Sequence, residues 1–277
     1  MGFRISTNIA SVNAQRNLGE SQMKIGDSMA KLASGSRINK AADDAAGLAI
    51  SENLKAQVRS TRMASRNAQD GISMVQTAEG GLNELSTIVT RLRELGIQAS
   101  SDTVGDTERG FLDKEVQQLK NEMQRIAQVT KWGSTGLLDG GTPKFDFQVG
   151  INNDDFADRI SYNGAENTAT LDALGLTSID YTSKEGAQTS LAMLDAAQTN
   201  VNGMRANLGA LQNRLTSTIT NLGVAEENLS AANSRIRDTD VASATAEMTR
   251  NSILLQSATS TLAQANSKDQ LALKLIG

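Results

Sequence analysis

The chain contains no cysteine and no histidine, a single proline, Pro143, and only 3% aromatic residues among its 277. Without cysteine there is no disulfide framework, thiolate nucleophile or iron–sulfur ligand. Without histidine there is no imidazole base and no ordinary zinc site. Most familiar enzyme chemistries go with those two residues, and neither an enzyme nor a cofactor is expected. A net charge of −4 lacks the concentrated basic face of a nucleic-acid binder. Apolar residues total 39%, enough for a real core, yet no run approaches the roughly 18 consecutive apolar residues of a membrane span. Residues 1–8 lack the basic region and apolar stretch of a cleaved secretory signal, which on that rule alone points to the cytosol.

What the chain has is helical periodicity. Val201, Met204, Leu208, Leu211, Leu215, Thr218, Leu222, Ala225, Leu229, Ala232 and Ile236 alternate steps of three and four, a coiled-coil seam with one polar member. In the N-terminal half Leu54, Val58, Thr61, Ser65, Ala68, Ile72 and Val75 form one run. From Val75 a second runs through Ala78, Leu82, Leu85, Val89 and Leu92. The phase slip at Val75 predicts local overwinding of a continuing helix. A third run, Leu112 to Ile126, follows a breaker-rich connection over residues 100–110. Three narrow stripes with polar opposite faces predict an elongated helical bundle.

Both ends are amphipathic. Ile5, Ile9 and Val12 lead into Leu18, Ile25 and Leu32 in a shifted phase, and Met248, Leu255, Leu262 and Ile276 mark the other end. Paired with each other, two such helices still leave apolar positions wet, so burial by other molecules is expected. Only residues 137–185 differ. Phe145, Phe147, Val149 and Ile151 alternate with polar residues or glycine, Asn152 to Asp155 offer turn chemistry, and Ile160 and Tyr162 alternate again. This predicts a small β-hairpin capping one end of the bundle. The fold class is therefore mainly α: an elongated coiled-coil bundle with paired terminal helices and a β-hairpin insertion. The segments are 1–44 and 237–277 for the terminal helices, 45–136 and 186–236 for the bundle, and 137–185 for the insertion.

No phosphate-binding glycine signature or metal loop is present, and Asn153–Asp155 lacks calcium-loop spacing. Arg59, Arg62 and Arg66 share one helix face, as a solvated row or as an interface row reaching carboxylates on a neighbour.

The words Ser34-Gly35-Ser36-Arg37-Ile38-Asn39-Lys40-Ala41-Ala42-Asp43-Asp44-Ala45-Ala46-Gly47-Leu48-Ala49-Ile50-Ser51, with the stretches 64–73 and 76–80, resemble the N-terminal signature of bacterial flagellins. Residues 205–214, 234–240 and 262–266 resemble the family's C-terminal region. The resemblance implies a flagellar filament subunit. Its terminal helices would form an inner assembly layer, through Ile5, Ile9, Val12, Leu18, Ile25, Leu32, Met248, Leu255, Leu262 and Ile276. The bundle seam, with Leu82, Leu85, Val89, Leu92, Leu208, Leu211, Leu215, Leu222 and Leu229, would form the surrounding layer.

The same resemblance implies export through the flagellar type III apparatus with an uncleaved signal, and so an extracellular place in the filament rather than the cytosol. The partners it implies are other copies of the chain or sister flagellins, an export chaperone, the filament cap and hook-junction proteins, with neither nucleic acid nor membrane insertion. It also implies recognition by Toll-like receptor 5 through Arg91, Leu95 and Glu115. Large outer domains are common in the family, and here only 137–185 could occupy their place, which implies a near-minimal subunit. The alternatives are a hook–filament junction protein of similar architecture and a chemoreceptor-like signalling coiled coil. The dense words around Asp43–Ser51 favour flagellin over the first, and the apolar terminal stripes are unexplained by the second.

Overall fold

The computed structural model describes residues 8–141 and 144–276, and side chains as far as Ser267. Its helices are α1 (Ile9–Ser34), α2 (Ala45–Ala99), α3 (Asp106–Val129), α4 (Lys184–Arg237) and α5 (Val241–Ile276). Between α3 and α4 lie the strands β1 (Lys131–Trp132), β2 (Thr135–Gly136), β3 (Phe145–Gln148) and β4 (Arg159–Tyr162). The chain divides into two compact units, residues 58–227 and residues 1–57 with 228–277.

In residues 58–227, α2 and α4 run antiparallel, as three cross-links record. Arg62 Nε meets Glu226 at 2.5 Å, Gln198 donates to Ser86 Oγ at 2.8 Å, and Arg93 Nε meets Asp195 at 2.7 Å. Rising numbers on one helix meet falling numbers on the other. Arg62, one of the three arginines on a shared face, is thus engaged within the chain. The core joins Leu82, Leu85, Val89 and Leu92 of α2, Val116 and Met123 of α3, and Leu194, Val201, Leu208 and Leu215 of α4. Helix α2 continues unbroken through the phase slip at Val75. The slip widens the buried face there: Gly71, Met74, Val75 and Ala78 are all covered.

Strands β3 and β4 fall within the alternating stretches, although β3 ends at Gln148, short of Ile151, and the alternation does not mark β1 and β2. Phe145 pairs with Tyr162 and Phe147 with Ile160, antiparallel. The short β1–β2 ribbon turns at Gly133, whose φ of 61° suits the first turn position of a tight hairpin.

The insertion does not cap an end of the bundle, contrary to expectation; it lies along the flank of α2. Asn67 donates to the Gln148 carbonyl at 3.0 Å, a Cβ on Gly71 would come 3.2 Å from the Phe147 ring, and Tyr181 Oη donates to the Leu92 carbonyl at 2.7 Å. The reason is the apolar load carried after the hairpin. Leu174, Leu176, Ile179 and Tyr181 are buried on chain with little regular structure, so they can reach the core only by lying against the helices. Lys120, 9% exposed, fixes that segment by donating to the Thr177 carbonyl at 2.8 Å.

Candidate assembly surface

The unit formed by the two chain ends is built around a joint where α1 gives way to α2 and α4 to α5. Helix α1 stops at Gly35, whose φ of 67° is the left-handed conformation that ends helices with little cost for glycine. Across the joint, Arg37 N donates to the Arg237 carbonyl at 2.6 Å and Thr239 N to the Gly35 carbonyl at 3.0 Å. The Arg37 guanidinium donates through Nε and Nη2 to the Ile236 carbonyl near the end of α4, at 3.2 and 2.7 Å, and Arg237 pairs with Glu52. Asp43 accepts from the amides of Asn39 and Lys40, both at 2.9 Å, and those bonds, Lys40's first, hold its carboxyl below the usual carboxylate range.

Asp44 caps α2 by accepting from Gly47 N at 2.8 Å, and Asp240 caps α5 by accepting from Ala242 N at 2.9 Å. Gly47 is required where it stands, because a Cβ there would meet the Asp44 carboxylate and lie 2.8 Å from Ile38 Cδ1. Most of residues 35–47 therefore has a mechanical reason: the helix end at Gly35, the turn held by Asp43, the Asp44 cap and the bonds across to residues 236–239.

Beyond the joint, α1 and α5 pack antiparallel, with Asn8 donating to the Ala265 carbonyl at 3.1 Å and Ser11 to Asn266 at 3.0 Å. The covered face of α1 follows Ser11, Ala14, Leu18, Ser21, Ile25, Ser28 and Leu32. That of α5 follows Ala244, Met248, Asn251, Leu255, Ala258, Leu262 and Ala265. Both alternate threes and fours, as a coiled-coil seam must, but about half the members are small or polar. Such a seam lets helices approach closely while hiding little apolar area.

The large apolar residues are distributed accordingly. Leu18, Ile25, Leu32, Met248, Leu255 and Leu262 lie half-buried in the seam. Ile9 (60% exposed) and Val12 (59%) point away from it. Ile5 lies outside the described residues, and Ile276 ends α5 beyond the described side chains. The apolar stripe expected on α5 leaves out Val241 and Ile253, which line an open groove with Thr245, Ala246 and Thr249. Met23 and Met29 add to the exposed apolar surface of α1. The signal that finds the true seam is the unbroken three–four spacing with serine, alanine and asparagine counted as members.

In residues 58–227, Leu82, Leu85, Val89, Leu92, Leu208 and Leu215 are buried, and Leu211 and Leu222 half-buried; Leu229, also half-buried, belongs to the other unit. Arg91 bridges Glu115 at 3.0 Å and Glu94 at 3.0 Å in the open, whereas Leu95 is 1% exposed in the core. Among the described residues no helix is long and apolar enough to cross a membrane, and no three acidic, cysteine or histidine residues converge on a metal position.

Comparison with known proteins gives this architecture its context. The family model for the bacterial flagellin N-terminal helical region matches residues 5–142, and that for the bacterial flagellin C-terminal helical region matches residues 191–276. The chain is 43% identical to a flagellin of Halalkalibacterium halodurans over 98% of its own length and 99% of the relative's. It is 40% identical to a flagellar filament core protein of Brachyspira hyodysenteriae, with 98% and 99% covered. The crystal structure of Bacillus cereus flagellin superposes with a TM-score of 0.50 at 29% identity, covering 57% of this chain and 88% of that one. With both terminal regions matched in order and nearly the whole length aligned, the chain belongs to the bacterial flagellin family.

Proposed function

We propose that this protein is the structural subunit of a bacterial flagellar filament, a helical polymer of identical or sister chains that serves swimming motility. The observation that carries this reading is the divided apolar surface of the terminal helix pair: serine, alanine and asparagine take about half of its seam beside half-buried Leu18, Ile25, Leu32, Met248, Leu255 and Leu262, while Ile9, Val12, Met23, Val241 and Ile253 stay outside. A hairpin optimised to stand alone would bury those outer residues too. Covering each exposed side chain of this size in a neighbour stabilises by about 1–2 kcal/mol. Ordering the backbone costs about 1–2 kcal/mol per residue, so the ends become fully ordered only when several neighbours contribute.

On this reading residues 1–44 and 237–277 form the inner layer and residues 58–227 the surrounding one. The subunit is extracellular, is exported through the flagellar type III route without a cleaved signal, and acts by assembly with no catalytic step. Export chaperone, cap and hook-junction proteins are its transient partners. For Toll-like receptor 5, Arg91 and Glu115 offer exposed charge, while Leu95 supports the helix from the core. An Arg91→Ala, Glu115→Ala double variant that assembles but still activates the receptor fully would remove that site from the proposal.

The test of assembly is seeding of purified monomer with short filament fragments, followed by electron microscopy and circular dichroism. Long tubular filaments with a gain in helix are expected, and Ile253→Asp, which puts an unpaired charge on the outward face, should abolish elongation. Short rings, or no growth from the parent chain, would count against a filament subunit.

A further inference from the structure

We infer that one contact between subunits is a knob-and-groove pair, in which Phe156 on the β3–β4 loop of one copy seats between α2 and α3 of the next. The inference rests on the polymer reading above and names one of its interfaces.

Phe156 is 87% exposed, the most exposed large apolar side chain among the described residues. The loop that carries it is held firmly. The Asp154 carboxylate accepts from the amides of Phe156 and Ala157, both at 2.8 Å, and Asp158 accepts from Asp154 N at 3.1 Å. Gln148 donates to the Asn152 carbonyl at 2.7 Å, and Arg159 binds Asn153 at 2.6 Å and also pairs with Asp155. An aromatic ring on a loop already fixed loses little freedom when it docks, which is what a binding anchor requires.

A complementary surface lies elsewhere on the same unit. A groove of about 280 Å³ between α2 and α3 is lined by Thr77, Gly80, Gly81, Ile126, Val129 and Lys131, with Val129 59% exposed. Two adjacent glycines inside a long helix weaken it, so each needs a reason. Gly81 has one within the chain: a Cβ there would lie 2.7 Å from Thr130 Oγ1 and 2.9 Å from Leu138 Cδ1. Gly80 has none of this kind, since no atom outside its own turn of helix lies within 4 Å of such a Cβ; the same holds at Gly19, Gly26, Gly110, Gly203, Gly209 and Gly223, but Gly80 lines this groove, where a side chain would stand. Charge matches as well. Asp154 and Asp155 precede Phe156, while the groove lining includes Lys131, without an ion-pair partner among the described residues, beside Glu84 and Arg125, the latter paired with Glu122.

Knob and groove are different surfaces of one chain, so their pairing between copies is heterologous. Such a contact propagates into an open polymer unless its rotation closes a ring.

The absence of native cysteine makes the test direct. Filaments of a Phe156→Cys, Gly80→Cys double variant are treated with a short thiol–thiol crosslinker and run under denaturing conditions, beside each single variant. A ladder of covalent oligomers from the double variant alone is expected. Phe156→Ala should raise the monomer concentration needed for seeded elongation by at least about tenfold, with Phe156→Leu restoring most of it. Both sites are exposed, and circular dichroism of the monomers checks that the fold is kept. Monomers only from the double variant, with Phe156→Ala elongating like the parent, would overturn this contact and leave the polymer reading standing. Failure of the parent itself to elongate overturns both.

Discussion

Arg109 is 7% exposed, and its guanidinium satisfies the end of α2: it donates to the carbonyls of Ala99 at 2.9 Å and Ser101 at 3.0 Å, and pairs with Asp106 at 2.8 Å. Tyr181 Oη also donates to an α2 carbonyl, that of Leu92, but inside the helix. The difference decides which matters more. The last carbonyls of a helix have no helical partner, so losing Arg109 leaves that of Ala99 unpaired, while Ser101 keeps a long bond from Val104 N at 3.4 Å; a mid-helix carbonyl such as that of Leu92 keeps its own partner. Arg109→Met should therefore cost roughly 2–3 kcal/mol and Tyr181→Phe only about 1 kcal/mol, read as shifts in urea unfolding of the full chain followed by circular dichroism. Equal effects would show that the turn does not depend on the arginine. Neither role was legible in sequence. A lone arginine in a polar connection reads as solvated until the chain folds back over it.

Among the elements, the four-residue strands and the long bundle helices were legible, because period two and the three–four alternation each mark one buried face. Leu82, Leu85, Val89 and Leu92 follow that rule without exception. The terminal pair obeys the spacing but not the composition. Asn251, 5% exposed in the α1–α5 seam, has a buried amide nitrogen without a partner, a feature that sets register at a cost in stability. Asn251→Leu should therefore strengthen the free hairpin by about 1 kcal/mol, slowing proteolysis of the terminal segments of the monomer roughly fivefold. Unchanged or faster cleavage would contradict this account of the seam. The insertion was half legible: its strands carried a pattern, but its course along α2 was set by Leu174, Leu176, Ile179 and Tyr181, which follow no period.

For the molecule as a whole, ionisation sets the pH range of stability. Asp43, Asp102, Glu122, Asp146, Asp154 and Asp180 are all held below the usual carboxylate range by hydrogen bonds to amides or to cationic and hydroxyl side chains. Their folded values lie below the unfolded ones, so the stability they contribute is present above about pH 4–5 and lost as pH falls through the depressed values. Tyr162 and Tyr181 are pushed up to about 12, chiefly by burial. Their contribution is complete below about pH 10 and is lost as pH rises toward 12. Thermal melts of the monomer should show a plateau between roughly pH 5 and 9 with a fall on each side. A midpoint that rises on acidification below about pH 4 would reverse the sign and contradict the carboxylate assignments.

Sequence alone determined the class of the molecule. The missing cysteine and histidine removed most catalytic options, periodicity set the helices, and the words around Asp43 and Arg237 carried the family, because each is a property of residue type and spacing along the chain. Tertiary structure decided which residues of the terminal helices face inward, why Gly47 and Asp44 must stand together, and where Phe156 and Gly80 are left uncovered. Those outcomes depend on what lies across from a residue in space, and spacing along one chain does not encode the identity of that neighbour.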